Sequence, residues 1–250
     1  MVKNEEWTLI EQEDAFEEIF HLVSVLQKQS APRNQLCRQK DPEFELELPL
    51  TTSITIKVRQ DRGVLGQKGQ TGSVVWDSSI YMCHFLCQYH EFVVGKRVIE
   101  LGAGCGLTGI TAGILGAKHV DLTDQDAILP LLHRNVILNE SIASGTLFNV
   151  AQLDWGDKTL PGYIHSPYDI IICCDCIYNE MVNPLLVDTL NLLTNDDSVV
   201  FVAQELRTED VLLDWLERVL PCFEVWRYEE VARDEKHCIV IYKLKRRFVN

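Results

Sequence analysis

The chain has 250 residues, 46% of them apolar and 24% charged, the proportions of a sizeable globular domain and not of a disordered or fibrous chain. Its 37 acids against 23 Lys and Arg leave a formal net charge of -14, the wrong sign for a protein that binds nucleic acid or an anionic membrane. No apolar run approaches the roughly 20 residues that span a bilayer, and the opening MVKNEEWTLIEQEDAFEE lacks the apolar stretch of a signal peptide. A soluble, cytoplasmic protein is expected. The nucleus is a second expected location, although the basic KLKRRFVN end is too short to establish import.

Nine cysteines are an odd number in a chain that nothing sends to an oxidising compartment, so a disulfide framework is not expected. Cys83, His84 and Cys87 come nearest to a metal-ligand spacing, but the paired Cys motifs of a zinc site are missing. Buried free thiols are the better reading, with no metal.

In chain order, Phe16, Ile19, Phe20, Val23 and Leu26 recur at helical spacing over residues 12–29, with acids on the other face. Over 43–60 the period changes to two, and two strands joined near Thr51–Ser53 form an antiparallel pair. QDRGVLGQKGQTG (60–72) is a loop. Residues 1–70 thus make an N-terminal helix and β-hairpin extension packed on a core domain of residues 71–250. From there strands and helices alternate: a helix over 77–89, a strand RVIEL (97–101), a helix to about 115, a strand HVDLTD (119–124) and a helix over 128–139. A strand over 146–155 follows, then DIIICC (169–174), whose unbroken apolar run marks a strand buried on both faces. A helix at 183–193 starts at Asn-Pro, and a strand at 198–204 and a helix at 209–220 come next. CFEVWRYEEV and HCIVIYKLKR, with no helix between them, form a hairpin. Repeated βα units that end this way imply an α/β, Rossmann-like, seven-stranded and mostly parallel sheet with a C-terminal antiparallel hairpin.

The chemistry concentrates where the strand 97–101 meets its helix. Gly104, Gly106 and Gly109 satisfy G-x-G-x-x-G, which lets backbone N–H groups at a helix start approach a ligand. Asp124, 20 residues after Gly104, stands where a ribose-binding acid belongs. These features alone do not separate a nicotinamide cofactor from another adenosine ligand. Glu100, two residues before Gly102, suits a ligand bearing ammonium and sulfonium charges better than a pyrophosphate. The alternative is that Glu100 caps a neighbouring helix.

TGSVVW (71–76), VIELGAGCGLTG (98–109), DLTDQD (121–126), LDWG (153–156) and CDCIY (174–178) together resemble the seven-strand class I methyltransferases. The chain is most similar to the methyltransferase-like 21 branch of small protein-lysine methyltransferases, over about residues 70–243. Members of that branch act on an AAA ATPase, on Hsp70 chaperones or on translation elongation factors, and one relative methylates arginine. The resemblance implies S-adenosyl-L-methionine as cofactor, S-adenosyl-L-homocysteine as product, and a protein substrate that carries the target lysine. It implies that Gly102, Ala103 and Gly104 lie against the methionine part, that Asp124 takes the ribose hydroxyls, and that Trp155 borders the adenine. Trp76 would close over the cofactor, and Cys174, where the family often has Ala, would matter only through its backbone. Asp175 and Tyr178 would face the methyl-transfer site. A monomer is expected. Two alternatives stay open: a class I methyltransferase acting on arginine or a small molecule, and a non-catalytic cofactor-binding module.

Overall fold

The computed structural model describes residues 7–27, 39–65, 71–228 and 238–247. Its main sheet is built from β1 (Trp7–Ile10), β4 (Arg97–Leu101), β5 (His119–Asp124), β6 (Leu147–Gln152), β7 (Ile170–Cys174), β8 (Val199–Glu205), β9 (Phe223–Tyr228) and β10 (Ile239–Arg246). The order is β1-β9-β10-β8-β7-β4-β5-β6, parallel from β8 through β6, with β10 antiparallel to both β8 and β9. The expected α/β architecture and closing hairpin are present. All five residues of β7 are buried, as their continuous apolar run requires.

The sheet has eight strands and not the seven expected. The extra strand is β1, antiparallel to β9 with Trp7 opposite Tyr228. Four residues are too few to display a period, and what holds them is tertiary. The Trp7 ring lies 5.2 Å from Tyr228 and 5.9 Å from Phe85, with the Lys243 ammonium 4.4 Å above it.

Helices α2 (Asp77–Gln88), α3 (Leu107–Ile114) and α4 (Leu129–Asn139) cover one face of the sheet. Helices α1 (Ala15–Gln27), α5 (Asn183–Leu193) and α6 (Glu209–Val219) cover the other. The pair β2 (Glu43–Leu48) and β3 (Ile54–Arg59) forms a separate two-stranded sheet, in the expected antiparallel register. Leu46, Leu48, Ile56 and Val58 join the α2–α4 core. Asn135 and Asn139 on α4 bond the backbone of β3: Asn139 serves the N–H and C=O of Lys57, and Asn135 those of Arg59. Helix α5 begins at Asn-Pro, as expected. Val182 is the cap, and the buried Asn183 amide donates to Val211 O and Asp214 Oδ2 of α6. No helix among the described residues is long and apolar enough to cross a membrane. Eight cysteines are free thiols, seven of them buried; the ninth, Cys37, lies outside the described residues.

The buried stripe of α1 corrects the periodicity reading. Ala15, Ile19 and Leu22 face the core, while Phe16 and Phe20 are 71% and 74% exposed. The helix is set by a polar anchor. Glu18 is buried and accepts from Arg227 Nε of β9 at 3.1 Å and from the Tyr242 hydroxyl of β10 at 3.0 Å, and Arg227 also meets His21 at 2.9 Å. Placing Glu18 inward turns Phe16 and Phe20 outward, because residues two apart on a helix lie on different faces. Truncating one partner of a buried pair strands the other charge, at a cost of about 3–5 kcal/mol. Arg227→Met is therefore expected to lower the unfolding free energy by that amount, with a correspondingly lower denaturant midpoint, and pairing it with Glu18→Met should recover most of the loss. Equal midpoints for the wild type and Arg227→Met would remove the anchor from the stability of the fold.

Candidate active site

Strand order reverses between β4 and β7, so the segments leaving these strands diverge and open a crevice at the carboxyl edge of the sheet. A cavity of about 220 Å³ lies there, lined by the segments that follow β4, β5, β6 and β7 and by residues 71–76. Of the ten site residues expected from sequence, nine line it: Trp76, Gly102, Ala103, Gly104, Asp124, Trp155, Cys174, Asp175 and Tyr178.

Glu100 does not. Alternation along β4 puts its side chain on the α2–α4 face, where Oε2 accepts the Gly109 N–H of α3 at 2.7 Å. This is the helix-capping alternative, and it corrects the cofactor contact expected of Glu100. Burial pushes its carboxyl up to about 8, against the Gly109 N–H and the Thr108 hydroxyl, which favour the ionised form.

The glycine loop is shaped by positive φ at Gly102, Gly104 and Gly106, at 62°, 54° and 80°. Space is as restrictive as angle. A Cβ on Gly104 would meet the Gly72 carbonyl oxygen at 2.7 Å, and one on Gly102 would meet Cys176 Sγ and the Trp155 ring at 3.2 Å each. Residues 71–76 therefore run as a strap directly against the loop. The strap is tied from the N-terminal region: Gln60 Oε1 accepts the Val75 N–H at 2.8 Å, Gln39 Nε2 donates to Val75 O, and Ser73 O accepts the Asp61 N–H. Trp76 donates from Nε1 to Thr71 O at 3.1 Å, which fixes its indole at the start of α2.

Asp124 ends β5. Oδ2 accepts the Gly104 N–H at 2.8 Å and Oδ1 that of Gln125 at 2.7 Å, so the acid and the loop hold each other. Burial pushes its carboxyl up, and the two N–H groups oppose this. Trp155 reaches inward as far as Gly102. Cys174 ends β7 with its thiol turned towards Thr108, 3.5 Å away and beneath the cavity floor. Asp175 follows at φ 56°, the positive-φ residue other than glycine among those described. Its Oδ1 is approached by Gln204 Nε2 and the Glu205 N–H, and its Oδ2 by Arg207. Tyr178 is 42% exposed and, like Thr71, lines the cavity.

The sequence reading missed Thr71, Gly72, Asp154 and Arg207. Gly72 and Asp154 lay inside motifs already singled out, TGSVVW and LDWG; Arg207 carries no local signal at all. Among the described residues the lining holds three acids, Asp124, Asp154 and Asp175, and neither Lys nor Arg. That balance opposes a pyrophosphate and suits a cationic ligand. The bare cradle of Gly102–Gly104, beside an acid and two indoles, fits S-adenosylmethionine.

Comparison with known proteins points the same way. The family described as lysine methyltransferase matches residues 52–219. Protein N-lysine methyltransferase METTL21A of Danio rerio is 40% identical over 156 residues, covering 62% of this chain and 68% of that one. EEF1A lysine methyltransferase 3 of Xenopus tropicalis is 32% identical over 174 residues, covering 69% and 74%. In fold, the glycopeptide N-methyltransferase MtfA matches with TM-score 0.52 at 12% identity, over 68% of this chain and 91% of that one. A protein described as a methyltransferase and complexed with S-adenosylhomocysteine matches with TM-score 0.52 at 15% identity, over 87% and 57%.

Two outcomes test this geometry. Gly104→Ala adds a Cβ against a backbone oxygen and demands a left-handed conformation worth about 1–2 kcal/mol. It is expected to weaken S-adenosylmethionine binding at least about tenfold by calorimetry, with near-native circular dichroism; wild-type affinity would show that the loop tolerates side chains. The second concerns Glu100, whose carboxyl titrates near 8 in the folded chain and near 4.5 unfolded. Between these values the folded state holds a proton that the unfolded state has lost, so this group's contribution to stability falls as pH rises. Denaturant midpoints of the wild type should therefore drop, relative to Glu100→Gln, between about pH 5 and 8. Parallel profiles would mean that Glu100 is ionised in place.

Proposed function

Since this chain belongs to the lysine methyltransferase family, we propose that its cleft acts on a lysine of a folded non-histone protein, an ATPase chaperone or a translation elongation factor. The enzyme transfers methyl groups from S-adenosylmethionine to protein lysine side chains. Two curated relatives support the substrate class through their own names, one of which specifies EEF1A. The exposed mouth is consistent with a macromolecular acceptor: Tyr178, which lines the cavity, is 42% exposed. A monomer acting in the cytoplasm, and in the nucleus as well, completes the reading.

When bound, S-adenosylmethionine supplies a methyl already activated on a sulfonium, so the protein's share is alignment and a neutral nucleophile. Gly102, Ala103 and Gly104 present backbone to the methionine part. Asp124, with each oxygen engaged once by a backbone N–H, keeps acceptor capacity for two ribose hydroxyls. Trp155 and Trp76 flank the ligand, and Cys174 offers backbone only.

The acceptor raises a harder problem. A lysine of pKa ~10.4 is only ~0.04% neutral at pH 7, a deficit of about 4.6 kcal/mol. A cleft that strips water from the ammonium lowers that pKa, while Asp175 draws the cation in and orients it. The observation that carries this assignment is the placement of Asp175: a buried carboxylate in a left-handed turn at the carboxyl end of β7, facing the same cavity as the glycine loop. Tyr178 bounds the same side.

Incubating cell extract with radiolabelled cofactor and identifying the labelled band tests the substrate class; label confined to nucleic acid would overturn it. On that band, Asp175→Asn is expected to lower kcat/KM at least about tenfold, or ~1.4 kcal/mol. Cofactor affinity should change less than about threefold. A mutant that melts early yet turns over normally per folded molecule would make Asp175 a structural cap.

A further inference from the structure

Arg207 lies just past the end of β8, outside every motif, yet its guanidinium joins the two walls of the cleft mouth. Nη2 donates to Asp175 Oδ2 and stands 2.8 Å from Glu205 Oε2. The same group lies 4.7 Å from the centroid of the Trp76 ring. The side chains of Asp175 and Glu205 are 4% and 2% exposed, against 29% for Arg207. Two buried acids thus share one cation that alone reaches water. An exposed ion pair would contribute little, but removing the cation here would strand charge inside the protein.

The remaining contacts of Asp175 give this geometry its meaning. Its N–H donates to Ala203 O at 2.8 Å, and Gln204 holds the turn by accepting the Ile177 N–H at 2.9 Å and donating to Asp175 Oδ1 at 3.2 Å. With the Glu205 N–H also on Oδ1 and Arg207 on Oδ2, three of the roughly four acceptor positions of a carboxylate are taken. Asp175 lines the cavity, and no hydrogen bond from a described residue takes the fourth. On the other wall Trp76 is held by Thr71 O at its edge and by Arg207 on its face.

We propose that Arg207 is a positioning residue for the methyl acceptor, fixing the Asp175 carboxylate and the Trp76 indole in the one arrangement that offers the remaining carboxylate lone pair to a lysine. This rests on the assignment of Asp175 above. The role suits arginine, because a planar guanidinium can lie against the indole face while its Nη2 meets both carboxylates, whereas an ammonium acts as a compact point charge. Arg207 also favours the charged form of Asp175. The groups facing Asp175 are Glu205 and Arg207 at the end of β8, Asp77 at the start of α2 and Cys176 in its own turn. Burial pushes the carboxyl up, Asp77 adds to this, and Arg207 opposes both.

A double-mutant cycle on the full chain tests the proposal, using the extract protein that the wild type labels as acceptor. Arg207→Ala is expected to lower kcat/KM at least about tenfold in the wild-type background and less than about twofold in the Asp175→Asn background. Cofactor affinity should stay within about threefold. The acid limb of the pH profile should move to higher pH in Arg207→Ala and return close to wild type in Arg207→Lys, whose kcat/KM nonetheless stays low. Carbon-13 titration of the Asp175 carboxyl, assigned by its loss in Asp175→Asn, should show the same upward shift without any substrate. Equal losses in both backgrounds, or wild-type turnover and an unmoved Asp175 titration in a merely less stable Arg207→Ala, would overturn it. Wild-type kcat/KM in Asp175→Asn would instead sink the role of Asp175 itself.

Discussion

At the rim of the cleft two stretches of backbone meet with no side chain between them. The Gly72 carbonyl oxygen lies 2.7 Å from where a Cβ on Gly104 would be, and Asp124 Oδ2 lies 3.2 Å from where one on Gly72 would be. The near wall of the site takes its position from this contact. The strap 71–76 can come so close only because both chains lack side chains there, and it brings Trp76 to the start of α2 within reach of Arg207. The strap in turn depends on Gln39 and Gln60, which lie in sequence before the strand–helix alternation begins. The N-terminal region thereby braces the cleft wall and is not a separate ornament on it.

What could be read in advance depended on how local its cause was. The strands RVIEL and HVDLTD coincide with β4 and β5 residue for residue, because a short apolar run bounded by turn residues has few other solutions. The α1 stripe was misread because periodicity counts Phe16 and Phe20 as core, whereas the pairing of Glu18 with Arg227, 209 positions away, decides which face turns inward. β1 was invisible for a related reason, since its partner β9 is at the other end of the chain. Long-range partners overrode local pattern in both cases.

The site divides along the same line. Gly102, Gly104, Asp124, Trp155 and Asp175 sit at strand ends, where topology alone sends side chains and loops towards the crevice. Glu100 is on a strand too, but one residue inside its end, and the alternation of the pleat sends it to the opposite side of the loop. Three other acids, Asp124, Asp154 and Asp175, supply the negative lining. Arg207 could not have been found this way. Its significance comes from an indole and two carboxylates that the fold assembles from three separate segments.

The asparagines of α4 have a consequence beyond holding a hairpin in place. A strand with an open side is a template on which another chain can add itself, the route by which many β-rich proteins aggregate. Along β3 the outward N–H and C=O groups at Lys57 and Arg59 are already engaged by the amides of Asn139 and Asn135. Two side chains, one helical turn apart, thus imitate the neighbouring strand that the small sheet lacks. They close its border to intruders while leaving the hairpin free to support the strap above it.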